Sequence, residues 1–205
     1  DQIKKLTQTK VLTFTFGLEK LPEISIEDKD YALFFSNRIL NSNYNIDKVI
    51  LHFAKIRLQN TKAKLVIANE GDEKDNLKTL CHELKITDSV EFIGFITQNQ
   101  QDEIYKKSGF YYTLPTSDAT SVSLLEAMAW GCIPIVSNIP ANREWIENLK
   151  NGIILSNVDL PWNQNILSQK EDILMKNRAI IAEKAIFSTS INEFFSEVST
   201  LINAK

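Results

Sequence analysis

Short apolar runs alternate with amphipathic segments from Tyr31 to Val136, and this alternation constrains the fold more than any other feature of the sequence. The apolar runs predict strands over Tyr31–Ser36, Lys64–Ala68, Val90–Phe95, Phe110–Leu114 and Ile133–Val136. The segments between them predict helices over Ile46–Leu58, Asn76–Leu84, Gln98–Lys107 and Val122–Ala129. Such alternation is typical of an α/β fold with a doubly wound, mostly parallel, Rossmann-like sheet.

The two ends of the chain lie outside this alternation and suggest three regions. Residues 1–20 predict an interdomain linker and a strand over Val11–Phe16 that enters the next domain, and residues 21–165 predict the Rossmann-like domain. Past Val136 the sequence predicts a short helix over Arg143–Asn148 and a small strand over Gly152–Leu155. Residues 166–205 predict C-terminal helices that pack on the domain. The chain begins with Asp1, so we expect it to be a piece of a longer protein.

Composition argues against several classes of protein. The formal net charge of −3 argues against binding to a nucleic acid, which requires a basic surface. No apolar run is long enough to span a bilayer, and we recognise no signal peptide. Cys81 and Cys132 lie in apolar sequence and are expected to be buried free thiols in a reducing, cytoplasmic compartment. His52 and His82 have no cluster of cysteines or carboxylates around them, so we expect no metal site.

The stretch from Thr116 to Val136 joins a polar loop, a helix, a glycine and a strand. Gly131 is expected to end the helix, because glycine adopts left-handed dihedrals without penalty. A helix N-terminus presents unpaired N–H groups and partial positive charge, so this one is a candidate phosphate site. Asp118 and Glu126 are eight residues apart, about two turns, so both carboxylates can face the same side. Such pairs are often solvated charges, but Glu126 lies among apolar residues, where a carboxylate needs a partner.

Three further loops follow predicted strands, and parallel sheets of this kind bind ligands outside the carboxyl ends of their strands. Arg38 either binds a phosphate through two parallel hydrogen bonds or is a surface arginine paired with a carboxylate. Glu70–Gly71 is either part of a site or a tight turn. Gly94–Phe95 is either a place where a flat ring approaches the backbone or a packing glycine.

An ordered series of motifs carries a family resemblance. SDATSVSLLEAMAWGCIPIVS, residues 117–137, resembles the loop and helix of the retaining GT-B glycosyltransferases of group 1, the glycogen-synthase-like family. FGLE, SNRIL, KLVIANEG, VEFIGF and NREWIENLKNGIIL resemble further motifs of that family, in the same order. The resemblance covers about residues 11–156 and implies the C-terminal, donor-binding half of a GT-B architecture. The N-terminal, acceptor-binding half is then expected to be missing from these 205 residues.

The resemblance implies roles for the matched positions. Glu126 would accept hydrogen bonds from the ribose of a nucleotide-diphosphate sugar, and Asp118 would be the catalytic residue that orients the donor sugar. Arg38 and the backbone of the helix start would hold the diphosphate, and the two remaining loops would border the base. The full set of substrate-binding positions implied is Arg38, Glu70, Gly71, Gly94, Phe95, Thr120, Ser121, Val122, Ser123 and Glu126.

The chain departs from the family pattern at three places. Asn43–Tyr44 stand where the family has a lysine, so one positive charge is lost or supplied elsewhere. Asp118 replaces a glutamate, which shortens the side chain by one methylene, and Ser36–Asn37 replace a glycine. These departures keep open a non-catalytic nucleotide-binding or interaction domain. A GT-B nucleotide-sugar epimerase is a further alternative. Asp28–Lys29–Asp30 matches the D-x-D motif of metal-dependent glycosyltransferases, but it precedes its strand instead of following one, so we interpret it as a polar loop.

The resemblance therefore implies a retaining transferase that moves a sugar from a nucleotide-diphosphate sugar to a glycan or a lipid-linked acceptor. We expect no cofactor and no metal ion, because the donor itself is the substrate. A membrane-associated acceptor would place the enzyme at the inner membrane surface, and otherwise it would be cytoplasmic.

Overall fold

The computed structural model describes residues 11–12, 15–159 and 161–203. At its centre is one six-stranded sheet in which all neighbouring strands are parallel. The strands are β1 (Asp30–Ser36), β2 (Lys64–Ala68), β3 (Val90–Gly94), β4 (Ser108–Thr113), β5 (Ile133–Ser137) and β6 (Ile153–Leu155). Their order across the sheet is β3-β2-β1-β4-β5-β6, which is the doubly wound arrangement that the sequence predicts.

The described residues form seven α-helices around the sheet. They are α1 (Ile46–Gln59), α2 (Lys74–Glu83), α3 (Gln98–Lys107), α4 (Val122–Ala129), α5 (Pro140–Arg143), α6 (Lys170–Lys184) and α7 (Phe187–Asn203). Every strand and helix predicted between Tyr31 and Val136 is confirmed, with ends that differ by at most two residues. Gly131 has φ +80° directly after α4, as its predicted role in ending that helix requires.

Two predicted elements differ from the structure. The helix predicted over Arg143–Asn148 is wrong, because the helix there is α5, which begins at Pro140. Past α5, Leu149 has φ +63° and the Asn151 side chain accepts the Glu147 N–H at 2.7 Å, so the chain turns instead of continuing as a helix.

The strand predicted over Val11–Phe16 is not formed by its described residues, 11–12 and 15–16. Its remaining two residues, and the linker predicted over residues 1–10, lie outside the described part of the chain. Phe16 packs against Phe187 of α7, with ring centroids 5.6 Å apart, and the Leu18 N–H donates to the Ala185 carbonyl oxygen at 2.7 Å. The chain therefore pairs with the junction of α6 and α7 and not with the sheet. The domain limits drawn from the sequence stay a prediction.

Both faces of the sheet are covered by apolar layers. On one face Phe34 stacks on Phe110 with ring centroids 4.6 Å apart, and on the other Phe35 and Tyr111 pack in the layer that holds α4. All residues of β4 are buried, as expected for a central parallel strand that has helices on both faces. Arg178 of α6 ties the second layer together by donating to the carbonyl oxygen of Ala129 at 2.5 Å.

The strand order creates a crevice at the carboxyl end of the sheet. The chain proceeds outward from β1 to β2 and β3 on one side, and from β4 to β5 and β6 on the other. The loops that follow the neighbouring strands β1 and β4 therefore diverge, and ligands bind at such a point. The loops that follow β1, β2, β3 and β4 at this end are residues 37–45, 69–73, 95–97 and 114–121. Among the described helices, none combines the length and apolar character required to cross a membrane.

Candidate functional site

Two asparagines after β1 hold the loop that precedes α4. Asn45 donates through Nδ2 to the Leu114 carbonyl oxygen at 2.7 Å and to Thr116 Oγ1 at 3.0 Å. Asn43 donates to the Ser117 carbonyl oxygen at 3.1 Å, and its own carbonyl oxygen accepts the Thr116 N–H at 2.8 Å. At the position of the family's lysine, Asn43 therefore supplies hydrogen bonds that position the loop instead of a positive charge.

Arg38 connects the loop after β1 with the start of α4. Its Nη1 donates to Ser121 Oγ at 2.8 Å and to Ser123 Oγ at 2.7 Å, and its Nη2 donates to Asp118 Oδ2 at 2.7 Å. The guanidinium carbon lies 4.2 Å from the centroid of the Tyr44 ring, a cation–π contact. Arg38 is thus held by four side chains, two of which belong to the predicted diphosphate site.

The Arg38–Asp118 ion pair is largely shielded from solvent, with side-chain exposures of 12% and 18%. Burial by itself lowers the pKa of the Arg38 guanidinium, but the neighbouring Tyr111, Asp118 and Tyr44 raise it overall, so the group stays charged. The hydrogen bonds to Asp118 and the two serines use three of the five guanidinium N–H donors. The contacts fit an arginine paired with a carboxylate, and they still leave donors for an anion.

The N-terminus of α4 has open backbone donors. The N–H groups of Leu124 and Leu125 donate to the Ser121 carbonyl oxygen at 3.0 and 3.2 Å. The N–H groups of Val122 and Ser123 have no acceptor among the described residues. Ser121 is the N-cap, but its side chain accepts from Arg38 and makes no capping bond. Open donors and a bound guanidinium therefore meet at one helix end, which favours an anion there.

Glu126 has the partners that its apolar sequence context requires. Its Oε2 accepts a hydrogen bond from Gln101 Nε2 at 3.0 Å and lies 3.5 Å from the Tyr105 hydroxyl. Burial, and after it the Asp102 carboxylate, raise the pKa of Glu126, while hydrogen bonds from Gln98 and Tyr105 oppose this. The carboxylate is thus half-buried and held from one side by α3.

The loops after β2 and β3 contact each other. Gly94 has φ +69°, and a Cβ at this position would lie 2.8 Å from Glu70 Oε1. The same Glu70 oxygen accepts from Lys74 Nζ at 2.6 Å, and the Gly94 carbonyl oxygen accepts the Asn69 N–H at 2.6 Å. Both the left-handed conformation and the close approach therefore favour glycine at this position.

Gly71 and Phe95 complete the predicted set. A Cβ on Gly71 would lie 2.2 Å from the Leu40 carbonyl oxygen, so this glycine lets the loop after β2 pack on the loop after β1. Phe95 is 78% exposed directly after Gly94. The structure supports a packing role for both glycines. Contact of either loop with a ligand stays a prediction.

A cleft of about 730 Å³ lies beside α4 and is bordered by residues 17–20, 22 and 23. Val122 and Glu126 line it, whereas Arg38 and Asp118 do not. The predicted site therefore consists of two parts, an anion-binding part around Arg38 and a cleft around Glu126. Ser123 joins them, because its Oγ accepts from Arg38 and its carbonyl oxygen accepts from the Tyr105 hydroxyl at 3.0 Å.

The residues that sequence reasoning missed are on α3. Gln98 and Asp102 line the cleft, and Gln101 and Tyr105 contact Glu126. Their spacings of three, four and seven place them on one helix face. Polar residues lie all around the first half of this helix, so no single polar face stands out from the sequence.

The remaining candidates have structural roles. His52 is buried, its Nδ1 lies 2.6 Å from the Tyr112 hydroxyl, and burial and then Lys55 lower its pKa to about 4. Lys29, the central residue of the D-x-D match, is buried and donates to the Tyr105 and Ser108 carbonyl oxygens at 2.7 and 3.0 Å. Within the described part of the chain, no group of three or more His, Cys, Asp or Glu side chains is arranged to hold a metal ion.

Comparison with known proteins identifies the family. The family model described as "Glycosyl transferases group 1" matches residues 18–181, which include the whole sheet and every predicted site residue. The chain belongs to this family. The resemblance to group 1 that the sequence motifs carry is therefore confirmed.

Two relatives of this group 1 chain illustrate its range. An uncharacterized glycosyltransferase of Methanocaldococcus jannaschii is 32% identical over 130 residues, 63% of this chain and 33% of the relative. An alpha-monoglucosyldiacylglycerol synthase of Streptococcus pneumoniae is 31% identical over 116 residues, 57% of this chain and 26% of the relative. The chain thus spans a quarter to a third of the length of these relatives.

A solved structure confirms the GT-B type of fold. A point mutant of S. aureus TarM, in complex with fondaparinux, alpha-GlcNAc-glycerol and UDP, matches with a TM-score of 0.74 at 17% identity. The match covers 96% of this chain and 41% of TarM. At this level of identity it establishes the fold.

Proposed function

We propose that this group 1 glycosyltransferase chain binds a nucleotide-diphosphate sugar, with the diphosphate between Arg38 and the N-terminus of α4. One observation carries the proposal. Arg38 donates to the Ser121 and Ser123 hydroxyls, which brings its guanidinium to the helix end where the N–H groups of Val122 and Ser123 are open. The guanidinium, with its paired N–H donors, and the helix N-terminus each favour a phosphate for an independent reason. The UDP in the TarM structure supports a uridine nucleotide as the ligand to test first.

The proposed reaction is transfer of the sugar with retention. Negative charge develops on the diphosphate as it leaves, and Arg38 and the helix dipole would stabilise it from fixed positions. Asp118 would orient the donor sugar and not attack it. Its ion pair with Arg38 supports this role, because the carboxylate would then lie beside the diphosphate and near the sugar that it carries.

Glu126 and the loop after β3 would bind the nucleoside. A carboxylate can accept from two hydroxyls at once, which suits a ribose diol, and Glu126 lines the cleft. The Gly94–Phe95 backbone would border the base, with Glu70 and Gly71 supporting that loop. No metal ion or cofactor is part of the proposal, because the cationic side chain and the backbone donors would already face the diphosphate.

The acceptor would be a glycan or a lipid-linked molecule, bound by a domain outside these 205 residues. The length of the relatives supports such a domain, since the chain covers 33% and 26% of two of them. The alpha-monoglucosyldiacylglycerol synthase among them supports a lipid-linked acceptor. We accordingly propose a cytoplasmic protein that works at the inner membrane surface.

Two observations favour a second candidate, a nucleotide-binding domain without turnover. Arg38 is already paired with Asp118, and Asn43 holds a loop where the family has a lysine. If this ion pair persists in the presence of donor, the Asp118 carboxylate stays bonded to Arg38 and is not available to orient the sugar. The two candidates share the nucleotide site and differ in whether sugar transfer follows.

Titration calorimetry of the 205-residue chain with UDP, ADP, GDP and their sugars tests the proposal. We expect binding of at least one nucleotide diphosphate, with and without a chelator of divalent metals, and no sugar transfer by this chain alone. Absence of binding to the whole panel would contradict the nucleotide site. Transfer by the chain alone would contradict the proposed separate acceptor domain.

A further inference from the structure

A directed chain of hydrogen bonds runs from the middle of the sheet to Glu126. The Tyr111 hydroxyl on β4 donates to Asn37 Oδ1 at 2.7 Å, and Asn37 Nδ2 donates to Gln101 Oε1 at 2.6 Å. Gln101 Nε2 then donates to Glu126 Oε2 at 3.0 Å. Residues from three separate parts of the fold, β4, the end of β1 and α3, thus determine how one carboxylate of α4 is held.

The direction of this chain follows from its donors and acceptors. The Glu126 carboxylate can only accept, so Gln101 presents Nε2 to it and Oε1 to Asn37. Asn37 must then donate to Gln101 through Nδ2, which leaves its Oδ1 for Tyr111. Burial raises the pKa of Tyr111 to about 12, so the phenol keeps the proton that it donates there. Reversing either amide would place two acceptors or two donors against each other.

Tyr105 braces the chain from the side. Its hydroxyl is 3.0 Å from Asn37 Nδ2, donates to the Ser123 carbonyl oxygen at 3.0 Å and lies 3.5 Å from Glu126 Oε2. The Tyr105 side chain is fully buried, so its position is set by packing. Gln101 and the Tyr105 hydroxyl thus both reach the same oxygen of Glu126, Oε2.

We propose that Gln101, oriented by Asn37 and braced by Tyr105, is a positioning residue that holds Glu126 so that the cleft selects a ribose with free hydroxyls. The inference rests on the proposed function, because it assumes that a nucleotide occupies the cleft. Gln101 itself does not touch the nucleotide in this arrangement. Gln101 acts through Glu126. Without Gln101, the Glu126 carboxylate could rotate, and its oxygens would no longer stay oriented toward the ribose.

The alternative is that the chain only satisfies buried polar groups, which native proteins do as a rule. That role predicts a general loss of stability and of all ligand binding when Gln101 is replaced. Positioning of Glu126 predicts a loss confined to ligands that carry the ribose hydroxyls.

The test compares UDP with 2′,3′-dideoxy-UDP, by calorimetry, on the chain and three variants. Gln101→Met keeps the length of the side chain and removes its amide, and Gln101→Glu places a carboxylate opposite Glu126. Gln100→Glu is the control, because it adds the same charge one residue away. Gln100 Oε1 accepts the Thr97 N–H at 2.9 Å in a capping box, and glutamate preserves that acceptor.

We expect the unmodified chain to prefer UDP by about tenfold or more, since the dideoxy ligand leaves a carboxylate without its hydroxyl donors. Gln101→Met should weaken UDP by about tenfold and leave 2′,3′-dideoxy-UDP unchanged, with a larger effect for Gln101→Glu. Gln100→Glu should bind both ligands as before. Equal weakening of both ligands by Gln101→Met, or no weakening of either, would overturn the proposal.

A second measurement keeps the inference separate from the proposed function. If the unmodified chain binds neither ligand, the proposed function fails. An NMR titration that measures the pKa of Glu126 then tests separately whether Gln101 positions its carboxylate. Loss of a donor to the charged form should raise the pKa of Glu126 in Gln101→Met. The other charged groups beside it, Glu19, Lys20 and Glu23 in the cleft and Asp102 on α3, are the same in both proteins. An unchanged Glu126 titration would overturn the inference.

Discussion

Replacing Arg38 with alanine is the most direct perturbation of the proposed diphosphate site. The guanidinium is fixed by Asp118, Ser121 and Ser123, so it needs little reorganisation to receive an anion at its remaining donors. Its side chain is 12% exposed, and water therefore screens its interaction with a bound phosphate only in part. We expect Arg38→Ala to weaken UDP binding selectively.

The magnitude follows from the donors that are left. Three of the five guanidinium N–H groups bind protein oxygens, which leaves up to two for the diphosphate. Hydrogen bonds to charged groups contribute about 1.5–3 kcal/mol, so the dissociation constant of UDP should rise about 13- to 160-fold. Arg38→Lys should lose less, because it keeps the charge but not the planar fork.

The assay is calorimetric titration with UDP and with uridine, which lacks the diphosphate. Arg57→Ala is the matched control, because Arg57 on α1 donates to the Thr61 carbonyl oxygen, just before β2 and away from the carboxyl end of the sheet. Thermal unfolding of each variant shows whether the fold survives. Uridine should bind equally to the unmodified chain and to Arg38→Ala. An equal loss for uridine and UDP, or an unchanged affinity for UDP, would refute the reasoning.

Three further predictions concern other parts of the molecule. Glu126→Gln should weaken the binding of UDP itself, because an amide accepts at only one oxygen. Asp118→Asn should weaken the binding of the UDP-sugar only. Calorimetry of both variants with both ligands gives the comparison, and an equal loss of UDP affinity in the two variants would show that the carboxylates do not have separate roles. His52 has a pKa of about 4 in the fold against 6.5 for an ordinary histidine, so the unfolded chain takes up the proton first and stability falls between pH 6.5 and pH 4. Urea unfolding should show a loss of about 2 kcal/mol from this group at pH 5 relative to pH 7.5, and His52→Gln should remove that loss; a pH dependence unaltered in the variant would contradict it. Gly94→Ala should lower the free energy of unfolding by about 1–2 kcal/mol, because Gly94 has φ +69° and an added Cβ would lie 2.8 Å from Glu70 Oε1. Chemical unfolding of the variant measures this loss. An unchanged free energy of unfolding would show that the loop relaxes without cost.

The sequence by itself predicted the fold, because the pattern that specifies each element is local. The apolar run Lys64–Ala68 and the helical spacing over Val122–Ala129 match β2 and α4 residue for residue. Gly131 marks the end of α4 for a reason that depends only on its own backbone freedom. Where the local pattern was weak, as over Arg143–Asn148, the Asn151 side chain and the left-handed Leu149 decided the conformation.

The sequence also determined which chemical groups stand at the carboxyl ends of the strands. Arg38, Asp118 and Glu126 were identified from their places in the loops and the helix, and their family motifs agree. What a pattern along one chain does not contain is which of these groups meet. Asp118 is 80 residues from Arg38 along the chain. The sequence pattern left open whether Arg38 pairs with a carboxylate or binds a phosphate.

The tertiary structure decided these pairings. Gln101 and Glu126 are 25 residues apart and lie on different helices, and their contact depends on how α3 and α4 pack on the same face of the sheet. A hydrogen bond requires its two atoms to be within a few tenths of an ångström of one distance, whereas an apolar pattern specifies only a face. Local sequence therefore determined the elements and the chemistry available at their ends. The packing of the whole chain decided which donor faces which acceptor.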